Sequence, residues 1–296
     1  MFWKKNHIIW AIAAVVIMMA ISVAYVSRRT DREPDSVNES LWVRNNTVYV
    51  DTRPIYKMIP VDGGDLLLGG YSDLLSISDQ KVDRYLYTKK HLDSFIIGET
   101  PVNLALWNYA MFDFPTKQHF DNYYILETKE NWIEFIEKLN LKTGRVFRMP
   151  TNDEWEYAAR GGQKSRGYRF AGSDNADEVA IYKGVILPDS DDPSTFTHGK
   201  LKKPNELGLY DMSGGVWEMT STPLYQTDPS FQTTYTALAL QKKDGTLTEE
   251  QAKYMDVFAE TVVRGGDYNS EKEECALDNI STTQPILMGL RLILEY

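Results

Sequence analysis

Cys275 is the only cysteine in the chain. No disulfide can close within the chain, and no metal site built from several thiolates can form. The histidines, His7, His91, His119 and His198, are scattered. No G-x-S-x-G elbow, P-loop or H-E-x-x-H motif occurs, which removes the common nucleophile, phosphate and zinc-protease frameworks. The acidic run Asp189-Ser190-Asp191-Asp192 reads as a solvated loop. Glu156, Arg160 and Arg264 sit in segments dense in aromatics and glycine. They read as a buried charge network that pins loops, because charged groups leave water only when paired.

The elements that must hold these residues come from a chain of 296 residues, 43% apolar and 12% aromatic, enough to bury a sizeable core. A net charge of -10 excludes nucleic acid as a partner, since its phosphates need clustered Lys and Arg. Ile8 to Val26 run nineteen positions without a charge. Such a helix would be about 28 Å long, close to the hydrocarbon thickness of a bilayer, and it has no polar face. We therefore expect an N-terminal transmembrane helix, with residues 1–27 acting as a signal anchor. The alternative is cleavage at the small-x-small triplet Ser22-Val23-Ala24. Lys4 and Lys5 precede the span while Arg28, Arg29 and Arg32 follow it, so the charge rule leaves orientation open. A lipoprotein-type acylation site is excluded, because no cysteine lies near the end of the span.

Residues 28–55 read as a hydrophilic spacer with room for one short strand, and 56–296 as the domain. Asn131–Leu139 predicts a helix whose apolar face carries Trp132, Ile133, Phe135, Ile136 and Leu139. Thr151 and Glu154 form a capping-box pattern for a second helix, which Gly161-Gly162 terminate. Thr100–Met111 is a third candidate, with Leu104, Trp107 and Met111 on one face. Short apolar runs split by Gly, Asn, Asp and Pro make up the rest, giving an α+β class with much irregular structure.

In order along the chain stand Ile59-Pro60-Val61-Asp62-Gly63-Gly64 with Leu68-Gly69, then Ser94 to Val102, then Phe147 to Gly162. The last of these reads F-R-M-P-T-N-D-E-W-E-Y-A-A-R-G-G. Asn175–Tyr182, Lys203 to Gly214, Val216-Trp217-Glu218, Val263-Arg264-Gly265-Gly266 and Gly289-Leu290-Arg291-Leu292 follow. This succession resembles the formylglycine-generating-enzyme (sulfatase-modifying-factor) family over roughly residues 56–296. The resemblance implies that family's fold, a variant of the C-type-lectin fold.

In the active members two cysteines just after R-G-G hold Cu(I), which with O2 oxidises a substrate cysteine to formylglycine. Counted from Gly265, those positions fall on Ser270 and Cys275. A hydroxyl is a hard, weak donor where Cu(I) wants soft thiolates, so the resemblance implies lost catalysis, with Cys275 a small buried hydrophobe. The family's calcium segments are eroded too. Its G-N-V-W-E-W reads here Gly214-Gly215-Val216-Trp217-Glu218-Met219, one oxygen ligand short. Glu218 with neighbouring carbonyls, or Asn175 and Asp177 beside Glu178 near the other segment, would hold calcium weakly. The iron-dependent relatives need a histidine cluster from a preceding helical domain, which is lacking here.

The expected function is that of a membrane-anchored, extracytoplasmic, noncatalytic binding or assembly module. It would sit at the bacterial inner membrane by a single pass, with its domain in the periplasm, or be secreted if the segment is cleaved. No cofactor is expected, and its partner would be a cell-envelope protein or a glycan. Residues 220–262, with Tyr225, Phe231, Tyr235 and Tyr254 among Thr, Gln and charges, suit a recognition surface or simply pack an insertion. The alternative function is an active copper-dependent formylglycine-generating oxidase acting on a sulfatase cysteine.

Overall fold

The computed structural model describes residues 41–69, 87–112, 122–185, 198–227, 229–281 and 287–296. The apolar span 8–26, the acidic run 189–192, His7 and His119 lie outside them. Among the described residues no helix is long and apolar enough to cross a membrane.

The sheet begins earlier than the sequence suggests. Leu41–Arg44 (β1) and Thr47–Val50 (β2) form a hairpin, and β2 pairs with Arg53–Val61 (β3). Asn45 and Asn46 close the hairpin with φ of 47° and 57°, the left-handed pair that a two-residue turn demands and asparagine tolerates. Val48 and Val50 alternate inward, and with Leu41 and Ile55 they enter the main core. Part of the expected spacer, residues 41–55, is thus built into the domain, because its apolar positions fall on the buried face of a strand pair.

Phe95–Gly98 (β6) pairs with β3, Ile293–Leu294 (β12) with β6, and Phe147–Arg148 (β7) with β12. The six-stranded order is β1-β2-β3-β6-β12-β7. Gly64–Gly69 (β4) and Tyr87–Leu92 (β5) make a separate ribbon. A second, four-stranded sheet joins Ile280–Ser281 (β10), Thr261–Arg264 (β9), Glu218–Pro223 (β8) and Gly289–Leu290 (β11). Hence the last residues of the chain contribute strands to both sheets.

Three helices cover this framework. Leu104–Phe112 (α1) starts later than the expected Thr100, because Val102 donates to Leu290 O and Asn103 caps the helix by accepting from Leu106 N–H. It is buried from Ala105 through Ala110, while Leu104 and Met111, expected on its inner face with Trp107, are only partly buried. Lys129–Thr143 (α2) is capped by Thr128 and ends at Gly144 with φ 64°. Its stripe is Trp132, Phe135, Ile136 and Leu139, whereas Ile133 turns away and is 45% exposed. The rings of Trp107, Trp132 and Phe135 lock α1 to α2 at centroid distances of 5.1 to 5.4 Å. Asn152–Ala159 (α3) carries the expected capping box, and Gly161 follows at φ 90°.

Burial by itself would raise the Glu154 carboxyl, but Arg148 and the Thr151 N–H outweigh it and hold the group below the usual carboxylate range. A carboxylate lowered in this way contributes stability that is complete above its unfolded pKa, about 4.3, and lost as pH falls through the lower folded value. Glu154→Gln is therefore expected to lower Tm at neutral pH by removing the ion pair with Arg148, while the glutamine oxygen can still accept from Thr151 N–H in the capping box. The gap to wild type should close as the pH drops below about 4. A gap that stays constant in thermal melts across that range would contradict the pairing.

Candidate functional site

The two positions equivalent to the copper ligands lie in one loop after β9. Gly265 and Gly266 turn the chain with φ of 96° and 75°. A Cβ on Gly266 would sit 2.7 Å from Cys275 Sγ, so only glycine lets the loop fold over that thiol. Ser270 Oγ donates to Asp267 Oδ1 at 2.8 Å and accepts from Asp267 N–H at 3.0 Å. The Ser270 N–H donates to Asp267 O, and its own carbonyl accepts from Lys183 N–H. The hydroxyl is thereby engaged as both donor and acceptor inside its own turn.

Cys275 ends the short 3-10 turn Lys272–Cys275, which a Glu271–Glu274 capping box fixes. Its side chain has no exposed surface and packs with Phe170, Ala176, Val179, Ala180 and Ala276. Burial pushes the thiol far above its ordinary range, and the carboxylates of Asp267, Glu274 and Glu273 push it further. Cu(I) binding needs thiolates, and preferably two. One sealed thiol that resists ionisation, beside a committed hydroxyl, does not fit the metal.

The calcium candidates are dispersed. Asn175 caps Ala176–Val179 (α4) by accepting from Asp177 N–H, and Asp177 Oδ1 accepts from Tyr182 OH at 2.6 Å. Glu178 pairs with Lys203. This segment touches the copper-position loop through Ala176, Val179 and Tyr182, which pack around Cys275. Glu218 belongs to a different centre. Both its oxygens accept from the Arg291 guanidinium, at 3.0 and 2.7 Å, and Oε2 also accepts from Trp155 Nε1 at 2.8 Å. The Gly214 and Gly215 carbonyls accept from Val216 and Tyr268 N–H groups. A guanidinium already supplies the positive charge at Glu218, so this donor set does not fit calcium. Among the described residues no group of three His, Cys, Asp or Glu is placed to hold a metal ion.

The charge network expected at Glu156, Arg160 and Arg264 is present. Glu156 meets Arg160 at 2.7 Å and Arg264 at 3.2 Å, and accepts from Gly69 N–H at 2.9 Å. Arg264 donates to Leu277 O and Asn279 O and lies 5.1 Å over the Trp155 ring. Trp155 thus links this cluster to Glu218. Sequence reasoning missed Arg291, the hub of the second cluster, which also donates to Gly98 O and Tyr210 O. Its signal was an arginine flanked by Gly289, Leu290 and Leu292, since a charge inside an apolar run needs a buried partner. Also missed was buried Asp211, at φ 58°, whose carboxylate accepts from Tyr124 OH and Lys200 N–H and is raised by burial. An open cleft of about 270 Å³ lies elsewhere, lined by residues including Phe95, Arg148, Glu154 and Tyr296, and holds none of the copper-position or calcium candidates.

The sulfatase-modifying factor enzyme 1-like domain model matches residues 122–296. The chain belongs to this family. Chaperone protein LppX of Paenibacillus barcinonensis is 30% identical over 205 residues, covering 56% of this chain and 72% of that protein. The Bos taurus protein named inactive C-alpha-formylglycine-generating enzyme 2 is 31% identical over 103 residues, 33% of this chain and 34% of its own. Treponema denticola variable protein 1 superposes with a TM-score of 0.56 at 19% identity, over 84% of this chain and 98% of that structure. That level of identity speaks for the fold alone.

Glu218→Gln would keep the shape of the carboxylate but leave Arg291 charged in a dry site, a loss expected at about 3–5 kcal/mol. Glu178→Gln, which removes a surface pair with Lys203, is expected to cost under about 1 kcal/mol. Urea melts that gave the two variants equal midpoints would show that the Arg291 centre is not the buried anchor described here.

Proposed function

We propose that this chain is a noncatalytic binding or assembly module, anchored by residues 8–26 in the bacterial inner membrane with its domain in the periplasm. The observation that carries the noncatalytic reading is the copper-position loop. Its one thiol is sealed among apolar side chains, and the hydroxyl at Ser270 is tied to Asp267. A relative named inactive and a relative named a chaperone both agree with a role other than oxidation.

Recognition falls on the helical insertion between β8 and β9, formed by Pro229–Lys243 (α5) and Glu249–Ala259 (α6). Its aromatics are used in packing. Tyr225 stacks on Tyr235 at 4.1 Å, and Phe231 and Tyr235 lean on Leu224, Leu238, Phe258, Val262 and Ile280. The side chain of Tyr254 lies outside the described part. Exposed groups along α5 include Gln232, Thr236, Leu240 and Lys243. Such a mostly polar face suits an envelope protein or a glycan.

The test is purified full-length protein, loaded with Cu(I) under O2 and given a sulfatase peptide with its target cysteine. Mass spectrometry is expected to find no formylglycine above a protein-free control. Catalytic conversion of the peptide would overturn the noncatalytic reading.

A further inference from the structure

The outer face of the β1–β2 hairpin has a composition unlike the rest of this acidic chain. Trp42 and Tyr49, paired across the strands, stack with centroids 4.6 Å apart on the side away from the core. Arg44 and Thr47 continue the same face, and Lys57 stands opposite Thr47 on β3. Arg44 and Lys57 are exposed. Asp51 and Glu99 are the nearby acids: the Asp51 carbonyl accepts from Trp42 Nε1, and Glu99 pairs with Lys57. β1 is also an end strand of its sheet among the described residues.

Chain length says where this face stands. Fourteen residues, 27 to 40, separate the end of the apolar span from Leu41. A chain of that length can span at most about 50 Å. β1 is the first described element after that span, so the hairpin is tethered within that reach of it. Tryptophan and tyrosine favour the headgroup layer, where an apolar ring and a polar edge are both satisfied, and basic side chains favour an anionic surface.

We infer that the outer face of this hairpin, through Trp42, Tyr49, Arg44 and Lys57, rests on the anionic lipid headgroups of the membrane that holds the chain. The inference rests on the proposed anchorage. Docking this face fixes the orientation of the domain.

The experiment uses the full chain in nanodiscs of phosphatidylcholine mixed with phosphatidylglycerol, with a spin label at Thr47→Cys or, for comparison, at Lys253→Cys on α6. Cys275 is buried and stays unlabelled. Collision with a water-soluble nickel complex is expected to be several-fold lower at position 47 than at 253, and to recover when Arg44→Glu and Lys57→Glu are added. Equal collision at the two positions overturns the inference. Protection at 47 that persists in detergent and grows with protein concentration also overturns it, because a second copy would then be covering the hairpin. Extraction of the chain from vesicles by alkaline carbonate refutes the anchorage and this inference together. A chain that resists carbonate yet shows no protection at 47 refutes the docking alone.

Discussion

Two guanidinium groups without exposed surface organise this domain. Arg264 and Arg291 cannot discard their charge, and both lie fully inside. Each must be surrounded by acceptors, and those acceptors come from segments far apart in the chain. Arg291 gathers Gly98 from β6, Tyr210 from a long connection and Glu218 from β8. Arg264 gathers Glu156 from α3 and the Leu277 and Asn279 carbonyls. Trp155 lies between them, under one guanidinium and bonded to the carboxylate of the other. Such pairs add little net stability over an apolar core. Their effect is to specify which loops meet, which matters in a fold where regular elements are short.

That arrangement explains how the fold is held with a serine at position 270 and one cysteine at 275. The copper-position loop is shaped by its own bonds: the Asp267–Ser270 turn, the Glu271–Glu274 box and the apolar cluster around Cys275. None of these needs a metal. Glu218, which the family pattern offers to calcium, is held by Arg291, so its charge is neutralised within the protein. Scaffold and chemistry are separable here, as expected when function is grafted on a fold.

Much of this was legible in the sequence where the signal was local. The capping box at Thr151 and Glu154 and the Trp132–Leu139 stripe depend on neighbours three or four residues away, and both formed. The Glu156–Arg160–Arg264 network was readable because charges stood among aromatics. The Arg291–Glu218 pair joins residues 73 apart in sequence, and neither residue carries a mark of the other. The β1–β2 hairpin lies within a stretch whose sequence leaves room for one short strand rather than two, because Leu41, Val48 and Val50 stand in runs too short to mark a strand pair. The aromatics of residues 220–262 were ambiguous, since packing and recognition use the same residue types.

We propose that this family member keeps the fold and lacks the copper centre. Competition for Cu(I) against a coloured chelator, under anaerobic conditions, tests it without any substrate. The chelator is expected to keep its copper in the presence of one equivalent of protein, with wild type and Cys275→Ser indistinguishable. Transfer of one equivalent to wild type, lost in Cys275→Ser, would contradict it.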